Sequence, residues 1–194
     1  MFASPLGKLL VFALVALAVL IALSALWAFF LAAPYDHALV AAADHLSGAK
    51  VVLGDYYSEQ VQQDLGLKKE NIYIAEPPAG DVIHGFLETW ALDFGLLLVV
   101  SLIVATPGLT WCRRLYIVPV AVVIMFVLQL VTVLIFAQVS LSGADPSRNP
   151  FVTLFISLGT GLFPALVWGA LSLKYWFPRP QKAARPGKGL RQRH

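Results

Sequence analysis

The residues best equipped for chemistry stand in one stretch between two long apolar runs. Asp36-His37 and Asp44-His45 repeat eight residues apart, and on a helix positions 37, 41, 44 and 45 fall on roughly one side. His84 and Glu88 add an i, i+4 pair further along. Converging imidazoles and carboxylates are what zinc requires, three or four at a time, and what acid–base chemistry uses. The spacing of His37, Asp44, His45, His84 and Glu88 matches no metal signature of the H-E-x-x-H kind. These five are therefore read first as solvated polar residues at a membrane interface. A metal-dependent or acid–base site built from them is the alternative, and no cofactor is expected.

Other chemistries find less support. The single cysteine, Cys112, lies beside Arg113 and Arg114, whose charge favours a thiolate. It has no histidine on its side of the chain except His194, so it reads as structural or incidental. No nucleophile elbow, phosphate-cradling glycine loop or dinucleotide fingerprint occurs. The pattern points away from an enzyme. Nucleic acid is excluded as a partner, since the basic tail lacks stacking aromatics beyond Phe177.

The elements that would position these residues follow from composition. Of 194 residues 59% are hydrophobic and 13% charged, against about a quarter charged in a soluble domain. Too few ionisable groups remain to cover a water-exposed surface. A bilayer core of about 30 Å needs roughly 20 apolar residues in a helix, and four stretches meet that need. They are 9–33, 91–110, 115–139 and 151–173. Between them lie a short N-terminus (1–8), an outer segment (34–90), a turn (111–114), a second outer loop (140–150) and a tail (174–194). The apolar run of the first stretch exceeds the usual 7–15 residues of a cleaved leader, so it is read as an anchor. The expected fold is an all-α polytopic membrane protein, with four transmembrane helices and a small α/β extracytoplasmic cap between the first two.

Charge gives the orientation. Lys8, Arg113, Arg114 and the seven basic residues after the fourth stretch place ten of fourteen bases on one side. All eleven acids fall on the other. Lysine and arginine are retained in the cytoplasm, so both termini are expected there. The five tryptophans, at 27, 90, 111, 168 and 176, stand at or near the expected span ends, where amphipathic rings settle. Arg113, Arg114, Lys174, Arg179, Lys182 and Arg185 are expected to rest on the anionic inner leaflet.

Within the spans, polar residues are sparse. Gln129, with Thr132 one turn on, and Ser101 are the deepest. Each reads as an interhelical hydrogen-bonding group; a substrate contact in a membrane-depth cavity is the alternative. Ser157, Gly161, Ala165 and Gly169 recur every fourth residue and form a small-residue stripe. Such a stripe lets helix backbones approach closely, within the bundle or against a partner, and Gly161→Leu is expected to disrupt that assembly. Gly159 and Pro164 suggest a kink in the same span.

The outer segment reads as helix–strand–helix–strand. Ala33-Pro34-Tyr35-Asp36 resembles a helix start, with an amphipathic run to Leu46 and a stop at Gly48. A strand is expected at 50–53 and a helix over 58–65 capped by Gly66. A second strand at 71–74 is stopped by Pro77-Pro78.

A family resemblance accompanies this layout. Its residues are Trp27 with Ala33-Pro34-Tyr35, Gly95, Ala105-Thr106-Pro107, Arg113-Arg114-Leu115, Gln129, and Leu158-Gly159-Thr160-Gly161-Leu162-Phe163-Pro164 leading to Trp168. Over about residues 27–170 the chain resembles the small integral membrane proteins encoded beside bacterial exosortases. The resemblance implies an accessory to sorting or processing of exported proteins. Exosortases themselves use a Cys–Arg–His set, which this chain lacks on its outer side. The expected role is thus non-catalytic, in assembly with another membrane protein or with a second copy. A lipid- or small-substrate-binding transporter component is a further alternative.

Overall fold

The computed structural model describes residues 5–75, 83–143 and 149–176. The chain is mostly helical. Helix α1 (Pro5–Leu26) passes through a π-helical turn, Trp27–Leu31, directly into α2 (Ala32–Ser47). Then come β1 (Lys50–Leu53), a 3-10 turn, α3 (Glu59–Leu65), β2 (Asn71–Ala75) and β3 (Ile83–Glu88). The remainder is α4 (Thr89–Ala105), α5 (Trp111–Leu141), α6 (Pro150–Ser157), a second π-helical turn at Leu158–Leu162, and α7 (Phe163–Trp176).

The first departure from the sequence reading is at residues 33–36, which continue a helix instead of starting one. A proline inside a helix crowds the carbonyl four residues earlier and removes a donor. Here the turn ahead of Pro34 widens, and Ala32 bonds back five residues to the Trp27 carbonyl. The same device recurs before Pro164, where the Phe163 N–H reaches the Leu158 carbonyl. Each π turn absorbs its proline without ending the rod.

Three continuous helices, Leu6–Ser47, Trp111–Leu141 and Pro150–Ser172, are long and apolar enough to cross a membrane. Helix α4 is apolar but has 17 residues, about 25 Å of rise, and residues 106–110 of the expected second span lie beyond its end. Along α1 Ala16 alone is buried among the residues with described side chains. Leu9, Leu14, Ile21 and Phe29 are among many large apolar side chains left bare. A surface of this kind suits hydrocarbon as its solvent.

The three strands form one antiparallel sheet in the order β1-β2-β3. Val51 opposes Ile74, Ile72 opposes Leu87, and a bulge falls between Ile74 and Ala75. Gly48 and Gly66 end α2 and α3 in the left-handed region, at φ 71° and 66°, as their positions suggested. Strand β3 is new relative to the sequence reading. One sheet face (Val51, Leu53, Ile72, Ile74, Leu87) packs on Leu39 and Ala43 of α2 and on Val133 and Phe136 of α5. That core continues into Leu92 and Val152 at the ends of α4 and α6, so the cap is fused to the bundle. A second core, around Leu96, Ile103, Ala121, Met125 and Val167, fills the opposite half.

Candidate functional site

Polar side chains fasten the bundle at two levels. Gln129 on α5 is buried; its Nε2 donates to the Leu92 carbonyl at 2.7 Å, and its Oε1 accepts from the Tyr35 hydroxyl. Tyr35 is boxed edge-on by Trp27 and Phe126. Asp36 is buried beside it and feels the charge of Asp93 on α4. The Trp27 indole is turned toward the Asp93 carboxylate without a hydrogen bond of ordinary geometry. At the other end Thr106 gathers α4, α5 and α7. Its carbonyl accepts from Arg114 at 3.1 Å and its hydroxyl from the Trp168 indole at 2.9 Å.

The sequence-derived candidates behave differently from one another. Gln129 ties three helices together, as above. Ser101, though buried, bonds only within α4 to the Leu98 carbonyl at 2.8 Å. Ser101, Gln129 and Thr132 are all closely packed, and none of them lines the cavity described below. The small-residue stripe does not serve packing inside the chain. Ser157, Gly161 and Ala165 are exposed, Gly169 is half-buried, and a Cβ on Gly161 would meet nothing within 4 Å. The π turn rotates the helix between Ser157 and Gly161, and Val152, Pro164 and Val167 face inward instead. The close backbone approach belongs to Gly95, whose Cβ would lie 2.6 Å from the Gly159 carbonyl.

The five metal or acid–base candidates are dispersed. His37 faces Asp55 at 3.5 Å on the surface, and His45 is exposed. Asp44 accepts from the Val51 N–H at 2.9 Å and pairs with Lys50 at 3.3 Å, fixing the first strand to α2. Among the described residues no three His, Cys, Asp or Glu side chains form a metal-holding group. Arg113 and Arg114 stand at the start of α5, over the rings of Tyr175 and Trp111. Arg179, Lys182 and Arg185 lie outside the described residues, as does the side chain of Lys174.

His84 and Glu88, however, border a cavity of about 610 Å³ where the cap meets the bundle. They sit on strand β3 and not on a helix, and His84 falls at its bulge, between the pairs Ile74–Gly85 and Ala75–Ile83. One wall of the cavity is β3 from His84 to Glu88, continued by Trp90 and Ala91. The other is Val152, Thr153, Ile156, Ser157 and Thr160, with Phe136 as the floor. Glu88 accepts from the Trp90 indole, holding that ring at the rim. Asn149 caps α6 through the Phe151 and Val152 N–H groups, and Thr89 anchors α4 to the Glu70 carbonyl at 2.7 Å. Both walls are therefore set on fastened helix starts. The volume lies within the range of about 300–1,000 Å³ usual for ligand sites. The cavity is mostly apolar, with hydroxyls, one imidazole and one carboxylate around it. Sequence reasoning missed Phe86, Trp90, Thr153 and Ile156 as lining residues; Ile83-His84-Gly85-Phe86-Leu87-Glu88 does not alternate apolar with polar and so gives no strand signal of that kind.

No protein-family model, curated protein or solved structure matches the chain.

Proposed function

We propose that this is a non-catalytic accessory protein of a bacterial inner membrane, crossing it four times with both termini in the cytoplasm. It engages a protein partner through the groove between the β3 cap and α6. Helix α4 makes the fourth crossing: its 17 residues are extended by Thr106–Thr110, and Trp90 and Trp111 bracket it at the two interfaces. The acids then lie outside and most bases inside. The observation that carries the reading is the groove itself, a preformed and mostly apolar concavity between β3 and an α6 whose start Asn149 caps. The resemblance to exosortase-associated membrane proteins supports the same role.

Photo-crosslinking residues placed at Thr153 and at Phe86 in native membranes test it. A recurrent protein neighbour at both positions, not captured from the exposed apolar position Leu14, is the expected result. Lipid adducts alone at all three positions would overturn it.

A further inference from the structure

The β3 wall has an unusual property for a cavity lining. Side chains alternate faces along a strand, yet five consecutive residues, His84 to Glu88, border the space. A strand contributes consecutive residues when its edge, and not one face, runs along the cavity.

The hydrogen-bonding register agrees. The Val51 N–H bonds to Asp44, so Val51 points away from β2. The antiparallel ladder alternates, so Val52 and Tyr73 bond each other and Ile72 and Ile74 point toward β3. Their partners are Leu87 and Gly85, which leaves the N–H and C=O of Phe86 on the far edge. Among the described residues β3 pairs with β2 alone, and no loop or helix backbone group bonds to it. Asp44 closes the opposite edge of the sheet at Val51; on this edge no described residue bonds to Phe86. An open edge is a template for another strand.

We infer that the groove takes an extended peptide segment of an exported partner, added antiparallel or parallel to β3 as a fourth strand. Alternate apolar side chains of that segment enter between β3 and α6, and basic ones face outward. Main-chain bonds supply affinity and the apolar wall supplies selection. Charge favours basic residues, because Glu88 stands at the rim and segment 34–90 carries nine acids against three lysines. This inference rests on the partner-binding reading above and specifies its mode.

The test uses the full chain in neutral phosphatidylcholine nanodiscs and a short fluorescent peptide alternating valine and lysine, with empty discs as background. Saturable binding is expected. Two peptides, each methylated on one alternate set of nitrogens, keep the side chains, and the one whose methylated set faces β3 loses its donors; Phe86→Pro removes the edge N–H at a position where an edge strand tolerates proline. Both methylated forms are compared with the plain peptide; one of them, and Phe86→Pro, should weaken binding roughly tenfold or more, the equivalent of one or more net hydrogen bonds. Thr153→Trp, filling the groove, should abolish it. Equal binding of both methylated peptides and the plain one overturns strand addition; if Thr153→Trp still blocks all three, the groove and the accessory role stand. Absent binding, or binding indifferent to Thr153→Trp, overturns strand addition at this site, while crosslinking in native membranes separately decides the accessory role. The methylated peptides keep the test decisive should Phe86→Pro fail to fold.

Discussion

The Tyr35 hydroxyl donates to Gln129 across a sequence separation of 94 residues, and the same amide donates to the Leu92 carbonyl. One side chain therefore links α2, α4 and α5. Gln129→Ala strands the Tyr35 hydroxyl and removes the tie to α4 and should lower stability by about 1–2 kcal/mol, while Tyr35→Phe should cost about 0.6 kcal/mol. Unfolding in mixed micelles measures both. The double variant should be no less stable than Gln129→Ala alone, since the tyrosine has then no amide to lose. Additive losses would show that the two groups act independently.

The glycine that matters for helix packing is Gly95, not Gly161. A Cβ at Gly95 would press on the Gly159 carbonyl at 2.6 Å, whereas at Gly161 it would meet open space. Gly95→Val should destabilise the fold by about 1–3 kcal/mol through overpacking. Gly161→Leu should leave the thermal midpoint of the isolated chain nearly unchanged, within about 0.5 kcal/mol. The reverse ranking in a detergent melting series would reject the packing described here.

Asp44 does structural work that its sequence context, next to His45, disguises. Its carboxylate holds the Val51 N–H and the Lys50 ammonium, closing the free side of β1. Asp44→Ala should destabilise the cap by about 1–2 kcal/mol, and Asp44→Asn by less, because the amide oxygen still accepts from Val51. Amide hydrogen exchange at Val51 should quicken in the alanine variant far more than in the asparagine variant. Equal protection in all three proteins would remove Asp44 from this role.

The sequence made the cap's first half legible because glycine and serine punctuate it. Ser58 accepts from the Val61 N–H at the start of α3, and Gly48 and Gly66 take the left-handed conformation that other residues avoid. Strand β3 was obscured by His84 and Glu88, whose spacing suits either one helix face or one strand face. Only pairing with β2, a non-local event, decides between them. For the small-residue stripe, a count of four gives spacing but not direction: Ser157, Gly161 and Ala165 lie on the outside of the chain, which leaves a seam against a partner as its reading. Asp36 and Asp93 are far apart in sequence, so nothing local announced their meeting. The groove was illegible for the same reason, since its walls come from β3 and α6.

The wild-type chain carries its own topology probe. Cys112 is exposed at the start of α5, the one cysteine present, beside Arg113 and Arg114 on the side assigned to the cytoplasm. A membrane-impermeant maleimide should label it in inverted vesicles and not in intact spheroplasts. A cysteine introduced at Ser142, just past the other end of α5 in the Cys112→Ser background, should give the opposite pattern. The two positions bracket a helix of 31 residues, about 46 Å of rise, which exceeds the hydrocarbon thickness of about 30 Å. Labelling of both from one side would deny α5 its crossing, and inverted labelling of both would place the basic residues outside. Inverted labelling would also put the groove on the wrong face for the proposed exported partner, which makes this the first experiment to perform.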